Sequence, residues 1–213
     1  MTFKISGGQE ENGVVVGNAY DKYSSGNSLT RFIMKRFEAS ISDLVSKAGP
    51  GSIHEIGCGE GYWTLKWNRQ GFAARGSDFS PLVIQLAKEN AIKSGQSPHL
   101  FETRNIYEME AGRDSADLIV CSEVLEHLEK PENGLKALHQ IVRNHLILSV
   151  PREPLWRILN MARGKYLSDQ GNTPGHIHHW SRSEFSKLVS KYFKIIEVKN
   201  PIPWTVLLCL KQR

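Results

Sequence analysis

Glu123, Glu126 and His127 stand close together in Ser122-Glu123-Val124-Leu125-Glu126-His127-Leu128-Glu129-Lys130-Pro131, and a second histidine group, His176-Ile177-His178-His179-Trp180, lies further along the chain. With Ser122 as an N-cap, the spacing predicts a helix carrying Glu123, Glu126 and His127 on one face at i, i+3 and i+4. Two carboxylates and an imidazole so placed can bind a divalent metal or supply a general base. The same residue types at a helix start also serve as plain solvated surface, and both readings stay open.

A second set of residues has binding chemistry. His54-Glu55-Ile56-Gly57-Cys58-Gly59-Glu60-Gly61-Tyr62-Trp63 places three glycines in five residues between a short apolar strand and a helix-forming run. Glycines at such a turn permit positive φ and close approach of a ligand to the backbone. The dinucleotide fingerprint requires a further glycine where Tyr62 stands, which argues against a NAD-binding oxidoreductase. Asp78 follows Gly57 by 21 positions and closes the next strand, where a carboxylate can accept both ribose hydroxyls. Asp78 can also be simply an acid at a helix start, favoured by the helix dipole.

These groups need a scaffold, and the pattern supplies one. Apolar residues from Leu29 to Val45 recur at three-and-four spacing and predict a helix ending at Ala48-Gly49-Pro50-Gly51. Strands are expected at 52–56, 72–77, 99–103, 116–121 and 145–150, with helices at 81–93 and 135–142 between them. Alternation of this kind implies an α/β, doubly wound, mainly parallel sheet. Segments 192–198 and 206–210, joined by Asn-Pro-Ile-Pro, predict an antiparallel hairpin. An insertion at 151–175 carries an amphipathic helix from Pro154, fringed by Arg152, Arg157, Arg163 and Lys165. It is either a cap over a substrate, or a helix packed on the sheet or a dimer partner.

The glycine loop resembles motif I of the class I S-adenosylmethionine (SAM) methyltransferases, and the order of the later pieces is similar to that family over most of the chain. The resemblance implies a seven-stranded sheet of order 3-2-1-4-5-7-6 with the last strand antiparallel. It implies one domain, 1–213: an N-terminal lid and helix (1–50), a SAM-binding core (51–150), a cap insertion (151–180) and a C-terminal helix with hairpin (181–213). SAM, with S-adenosylhomocysteine (SAH) as product, is the expected cofactor. The residues matching its binding positions are Glu55 (toward the SAM amino group), Gly57, Cys58, Gly59, Gly61, Asp78 (ribose), Phe79 (adenine face), Asn105 and Ile106 (adenine edge), Ser122 and Tyr20. Asn105 departs from the family's Asp, and an Asx-turn is its alternative role. Tyr20 and Tyr23 sit where the family folds a segment over the sulfonium. Glu-x-x-Glu-His also looks like the metal motif of small-RNA 3′-terminal ribose 2′-O-methyltransferases, with His176 matching their further ligand, and related segments occur in ubiquinone-pathway O-methyltransferases. His127, His176 and Glu126 are thus the expected catalytic residues. A metal held by Glu123, Glu126, His127 and His176 is the less favoured arrangement.

Composition narrows the partners. The net charge of +5 permits an anionic substrate or RNA and selects neither. Three scattered cysteines suggest reduced thiols in a cytoplasmic protein, and no apolar run reaches the roughly 20 residues of a bilayer span. Met1 to Gly13 lacks the apolar core of a signal peptide. The expected reaction is direct methyl transfer to a small-molecule oxygen, of a sugar, phenol or other natural-product hydroxyl, by a monomer or homodimer. The alternatives are RNA ribose 2′-O-methylation and a non-catalytic SAM-binding protein.

Overall fold

The structure, a computed structural model, describes residues 3–11, 14–18, 21–23 and 25–212. Seven strands form one sheet: β1 (Ser52–Ile56), β2 (Ala73–Asp78), β3 (Phe101–Thr103), β4 (Ala116–Ser122), β5 (Val142–Pro151), β6 (Phe193–Lys199) and β7 (Trp204–Lys211), in the order β3-β2-β1-β4-β5-β7-β6. The first five are parallel, and β7 pairs antiparallel with β5 on one side and β6 on the other. Helices α1 (Ser28–Ala48), α2 (Tyr62–Arg69), α3 (Pro81–Lys93), α4 (Pro131–Ile141), α5 (Leu155–Ala162) and α6 (Arg182–Val189) complete the layers.

The central strands are apolar along their length because both of their faces are covered. Alternation then divides them. Leu118, Val120, Ile147, Val206 and Leu208 join Met34, Phe37, Ile41 and Leu44 of α1 on one face. Ile119, Cys121, Leu146, Leu148, Leu207 and Cys209 join Leu135 and Leu138 of α4 and Phe185 of α6 on the other. Each fully buried side chain of this size contributes about 1.5–3 kcal/mol over its exposed state. Cys58, Cys121 and Cys209 are all buried and unbonded to one another. Among the described residues no helix is long and apolar enough to cross a membrane.

Element ends shift for local reasons. Asn27 caps α1 by accepting from Leu29 N and Thr30 N, and Gly49 ends it at φ 52°. Helix α4 starts four residues before its expected apolar stripe, because Pro131 fits the first turn, where its missing N–H is not needed. Ser97 accepts from His99 N and starts a 3₁₀ turn, so β3 begins only at Phe101. The larger correction concerns the segment after β4. Ser122 does not cap a helix; it ends β4, and its hydroxyl bonds Ser149 Oγ at 2.7 Å. Glu123 turns the chain at φ 57°, and only a single 3₁₀ turn, Leu125–His127, follows. Glu123, Glu126 and His127 therefore do not share a helical face.

Candidate functional site

The glycine loop is tied to β2 before any ligand is considered. Gly57 N and Cys58 N both donate to Ser77 O, at 2.8 and 3.0 Å. Gly57 has φ 75°, and a Cβ there would lie 2.2 Å from Val124 Cγ2, so the close approach of the two loops requires glycine. Gly61 opens α2 with no side chain to cap it. Glu55 supplies the cap from β1: its Oε2 accepts from Thr64 N at 3.0 Å and Thr64 Oγ1 at 2.6 Å. Burial pushes this carboxyl up to about 8, against the two Thr64 bonds, with nearby Asp78 adding to the rise. The structure thus gives Glu55 a partner inside the protein, where the expectation placed a cofactor amino group.

Asp78 ends β2 beside this loop. Its Oδ2 accepts from Gly59 N at 3.0 Å and its Oδ1 from Ser80 N at 3.1 Å. Burial raises its pKa to about 6. A carboxylate has about four lone-pair sites, so capacity remains to accept a hydroxyl hydrogen. Among the described residues, a Cβ on Gly59 would meet only the Asn18 amide, at 3.9 Å, so the loop face next to Asp78 is open to them. Phe79, 47% exposed, flanks the same edge. A buried acceptor beside an open glycine face fits the ribose and chain of an adenosyl cofactor. Asn105 fits less well: its side chain accepts from Tyr107 N at 3.0 Å and caps a 3₁₀ turn, the Asx-turn alternative, while Ile106 is buried behind it. Tyr20 lies outside the described residues; Tyr23 stacks on Tyr62 at 3.6 Å between centroids.

Across the pocket the four acid and imidazole candidates divide. Glu123 is not part of the cluster expected of it: its carboxylate pairs with Lys22 at 2.6 Å and accepts from the Trp204 indole N–H. Burial alone would raise this carboxyl, but Lys22 and Trp204 hold it below the ordinary value. Among the described residues, Glu126, His127 and His176 do converge, each offering an atom within 4.8 Å of the others. Glu126 is 1% exposed with no partner on either oxygen among the described residues, and burial, with Glu123 nearby, pushes it well up. Its own carbonyl accepts from Ile177 N and His178 N, which docks the 176–178 segment on the 3₁₀ turn.

The histidines are neutral near pH 7. Burial lowers His127, and burial and His127 together bring His176 to about 4. His127 Nδ1 lies 2.8 Å from Gly175 O, and a carbonyl only accepts, so Nδ1 carries the hydrogen and Nε2 presents a lone pair. The His127 and His176 rings meet edge to face at 4.8 Å, and Trp156 of α5 stands 5.9 Å from His176 and 5.6 Å from Trp204. Trp156, Trp204, Lys22 and Glu60 take part in contacts around these groups although no spacing pattern marks them. Glu60, a charge between two glycines of a buried loop, is the one whose setting gives a cue.

Comparison with known proteins places the chain. A family model described as a methyltransferase domain matches residues 30–197. The mitochondrial ubiquinone biosynthesis O-methyltransferase of Schizosaccharomyces pombe is 29% identical over 122 residues, which are 54% of this chain and 43% of that protein. The chain therefore matches less than half the length of this relative. The magnesium protoporphyrin IX methyltransferase of Synechocystis, crystallised with SAH, superposes with a TM-score of 0.65 at 19% identity, covering 90% of this chain and 91% of its own. A protein from Pyrococcus horikoshii superposes at 0.71 and 14% identity, covering 91% and 96%. At these identities the two structures attest the fold.

Proposed function

The chain belongs to the family that carries this methyltransferase domain, and from that premise we propose that it moves a methyl group from SAM to a hydroxyl oxygen of a small molecule. When bound, SAM supplies a methyl on a positively charged sulfur, itself a good leaving group. What remains for the protein is to orient the acceptor, exclude water and take up the hydroxyl proton. Gly57, Cys58, Gly59 and Gly61 would hold the cofactor chain, Asp78 its ribose and Phe79 its base. His127 Nε2, fixed as acceptor by the Gly175 carbonyl, takes the proton from the acceptor hydroxyl. His176 and Trp156 form the wall that orients the acceptor, and Glu126 lies buried behind the imidazoles.

The observation that carries this reading is the pairing of an open, acceptor-lined glycine loop with a neutral imidazole whose tautomer is fixed. Sugar, phenol and other natural-product hydroxyls all suit such a base, and the likeness to a ubiquinone-pathway O-methyltransferase supports an oxygen acceptor. The test has two parts. Calorimetry should show SAH binding with 1:1 stoichiometry, and methyl-labelled SAM offered with a panel of phenols, catechols and sugars should label a product oxygen. Labelling confined to nitrogen or carbon products would overturn the oxygen assignment.

One observation favours a second reading. Among the described residues, one ligand atom each of Glu126, His127 and His176 lies within 4.8 Å of the others, and Glu126 has no partner. The set could hold a divalent cation, with the 2′-hydroxyl of an RNA ribose as acceptor. Glu123, engaged by Lys22 and Trp204, would not be its fourth ligand. Calorimetric titration of Mg²⁺, Mn²⁺ and Zn²⁺ into the SAH-bound protein separates the readings; no heat at millimolar metal removes the second.

A further inference from the structure

Glu60 lies between Gly59 and Gly61, yet its side chain is turned inward and 1% exposed. Its Oε1 accepts from Ser6 N at 3.0 Å and Asn18 N at 2.7 Å, and its Oε2 accepts from the Asn18 side-chain amide. One carboxylate thus gathers three N–H groups from a segment remote in sequence, and hydrogen bonds to an ionised acceptor are the stronger kind. The segment is also closed on itself: Ser6 Oγ donates to Val16 O at 2.6 Å, and Glu10–Glu11 pairs antiparallel with Val14–Val15. Its other end is fastened by Asn90 of α3, which accepts from Lys4 N at 2.9 Å and donates to both Lys4 O and Glu60 O. Gly17 completes the fit. At φ 65° it passes so close to Glu60 that a Cβ would lie 2.4 Å from Oε1.

The end of this strap stands at the open face of the glycine loop. Asn18 is the group that faces the open side of Gly59, whose N–H is bonded to Asp78. Lys22, four residues on, pairs with Glu123 beyond the end of β4. The described residues of this stretch are thus anchored at the glycine loop by Asn18 and at the β4 end by Lys22. A molecule seated between the loop and Asp78 would meet the Asn18 amide.

We propose that Glu60 is a positioning residue of the cofactor site: it clamps the N-terminal strap onto the glycine loop and so sets how long the adenosyl cofactor stays bound. The proposal rests on the cofactor reading given above. Opening the strap would strip a buried carboxylate of its three donors at once, and that loss forms the barrier to exchange.

The test is displacement of SAH from the full-length chain, followed by stopped flow. Glu60→Gln keeps the shape but turns an amide donor toward donors of Asn18. Gly17→Ala drives a methyl into Oε1 and leaves the loop residues unaltered. Both should raise the SAH dissociation rate about tenfold or more, the scale of losing one or two charge-assisted bonds, with the association rate changing less. Asn18→Ala, which removes only the side-chain amide, should move it the same way by less, and it carries the test should the other variants not fold. Dissociation rates within about twofold of the unaltered chain, with a lowered thermal midpoint, would show a purely structural strap and overturn the proposal. If the unaltered chain failed to bind SAH, the cofactor reading itself would fall, and this inference with it.

Discussion

The glycine-loop side and the histidine side of the pocket are built on different terms. On the first, the acids are partnered within the protein: Glu55 caps α2, Asp78 holds Gly59 and Ser80, and Glu60 holds the strap. On the second, Glu126 is buried with neither oxygen partnered among the described residues, and the His127 ring, its Nδ1 bonded to Gly175 O, meets the His176 ring edge to face. A ligand meeting the first side finds its donors and acceptors already in place. The second side keeps a buried acid without a partner among the described residues beside two neutral imidazoles, the setting proposed above for proton transfer.

Substitutions can break that contrast. The largest effect should come from His127→Ala, which removes the proposed base: turnover is expected to fall about 10²–10⁴-fold with SAH affinity nearly unchanged, checked by methyl-label transfer beside calorimetry. Equal losses in turnover and SAH affinity would mean that the two sides are one unit. Next, Asp78→Ala should weaken SAH about 100-fold, as two charge-assisted bonds are lost, and a near-normal Kd would remove the ribose role.

Acidity sharpens the comparison further. In the ribose role proposed for Asp78 the ionised form accepts hydroxyls more strongly, and its value is about 6, so SAH affinity should be full above pH 7 and fall toward pH 5. A flat binding profile from pH 5 to 8 would contradict this. Folding stability runs the other way, since a raised pKa means that the native state holds its proton more tightly than the unfolded chain. For Glu55 the window lies between its ordinary value of 4.5 and about 8, and its stabilising contribution is lost as pH rises through that range. Glu55→Gln removes this titration, so the variant should lose less stability than the unaltered chain between pH 5 and pH 8, by about 1–3 kcal/mol in denaturant melts.

How much of this was readable in the chain follows from distance along it. The glycine turn, Asp78 and the alternation of strands and helices are written in short, regular patterns, because each depends on neighbours within one βα unit, whereas the strand order followed from the family resemblance. The His127–His176 pairing was legible only as two separate groups of residues; its geometry comes from backbone bonds between Glu126 and 177–178. The helix expected from Ser122 failed because Glu123 takes a left-handed turn that lets it reach Lys22 and Trp204, and no local propensity announces such contacts. Glu60 was visible but mute, since its partners Ser6 and Asn18 come from a stretch without periodicity.

Strand β7 has a consequence for how the molecule comes into being. It lies between β5 and β6, bonded to both, and it supplies inward-facing residues to both apolar layers. During synthesis, β5 must therefore wait with an open edge while more than fifty residues emerge, and β6 has no neighbour until residues 204–211 arrive to knit the two together. Closure of the sheet is then a late, long-range event, and trimming even half of that strand should leave a nascent chain with its adhesive edge uncovered.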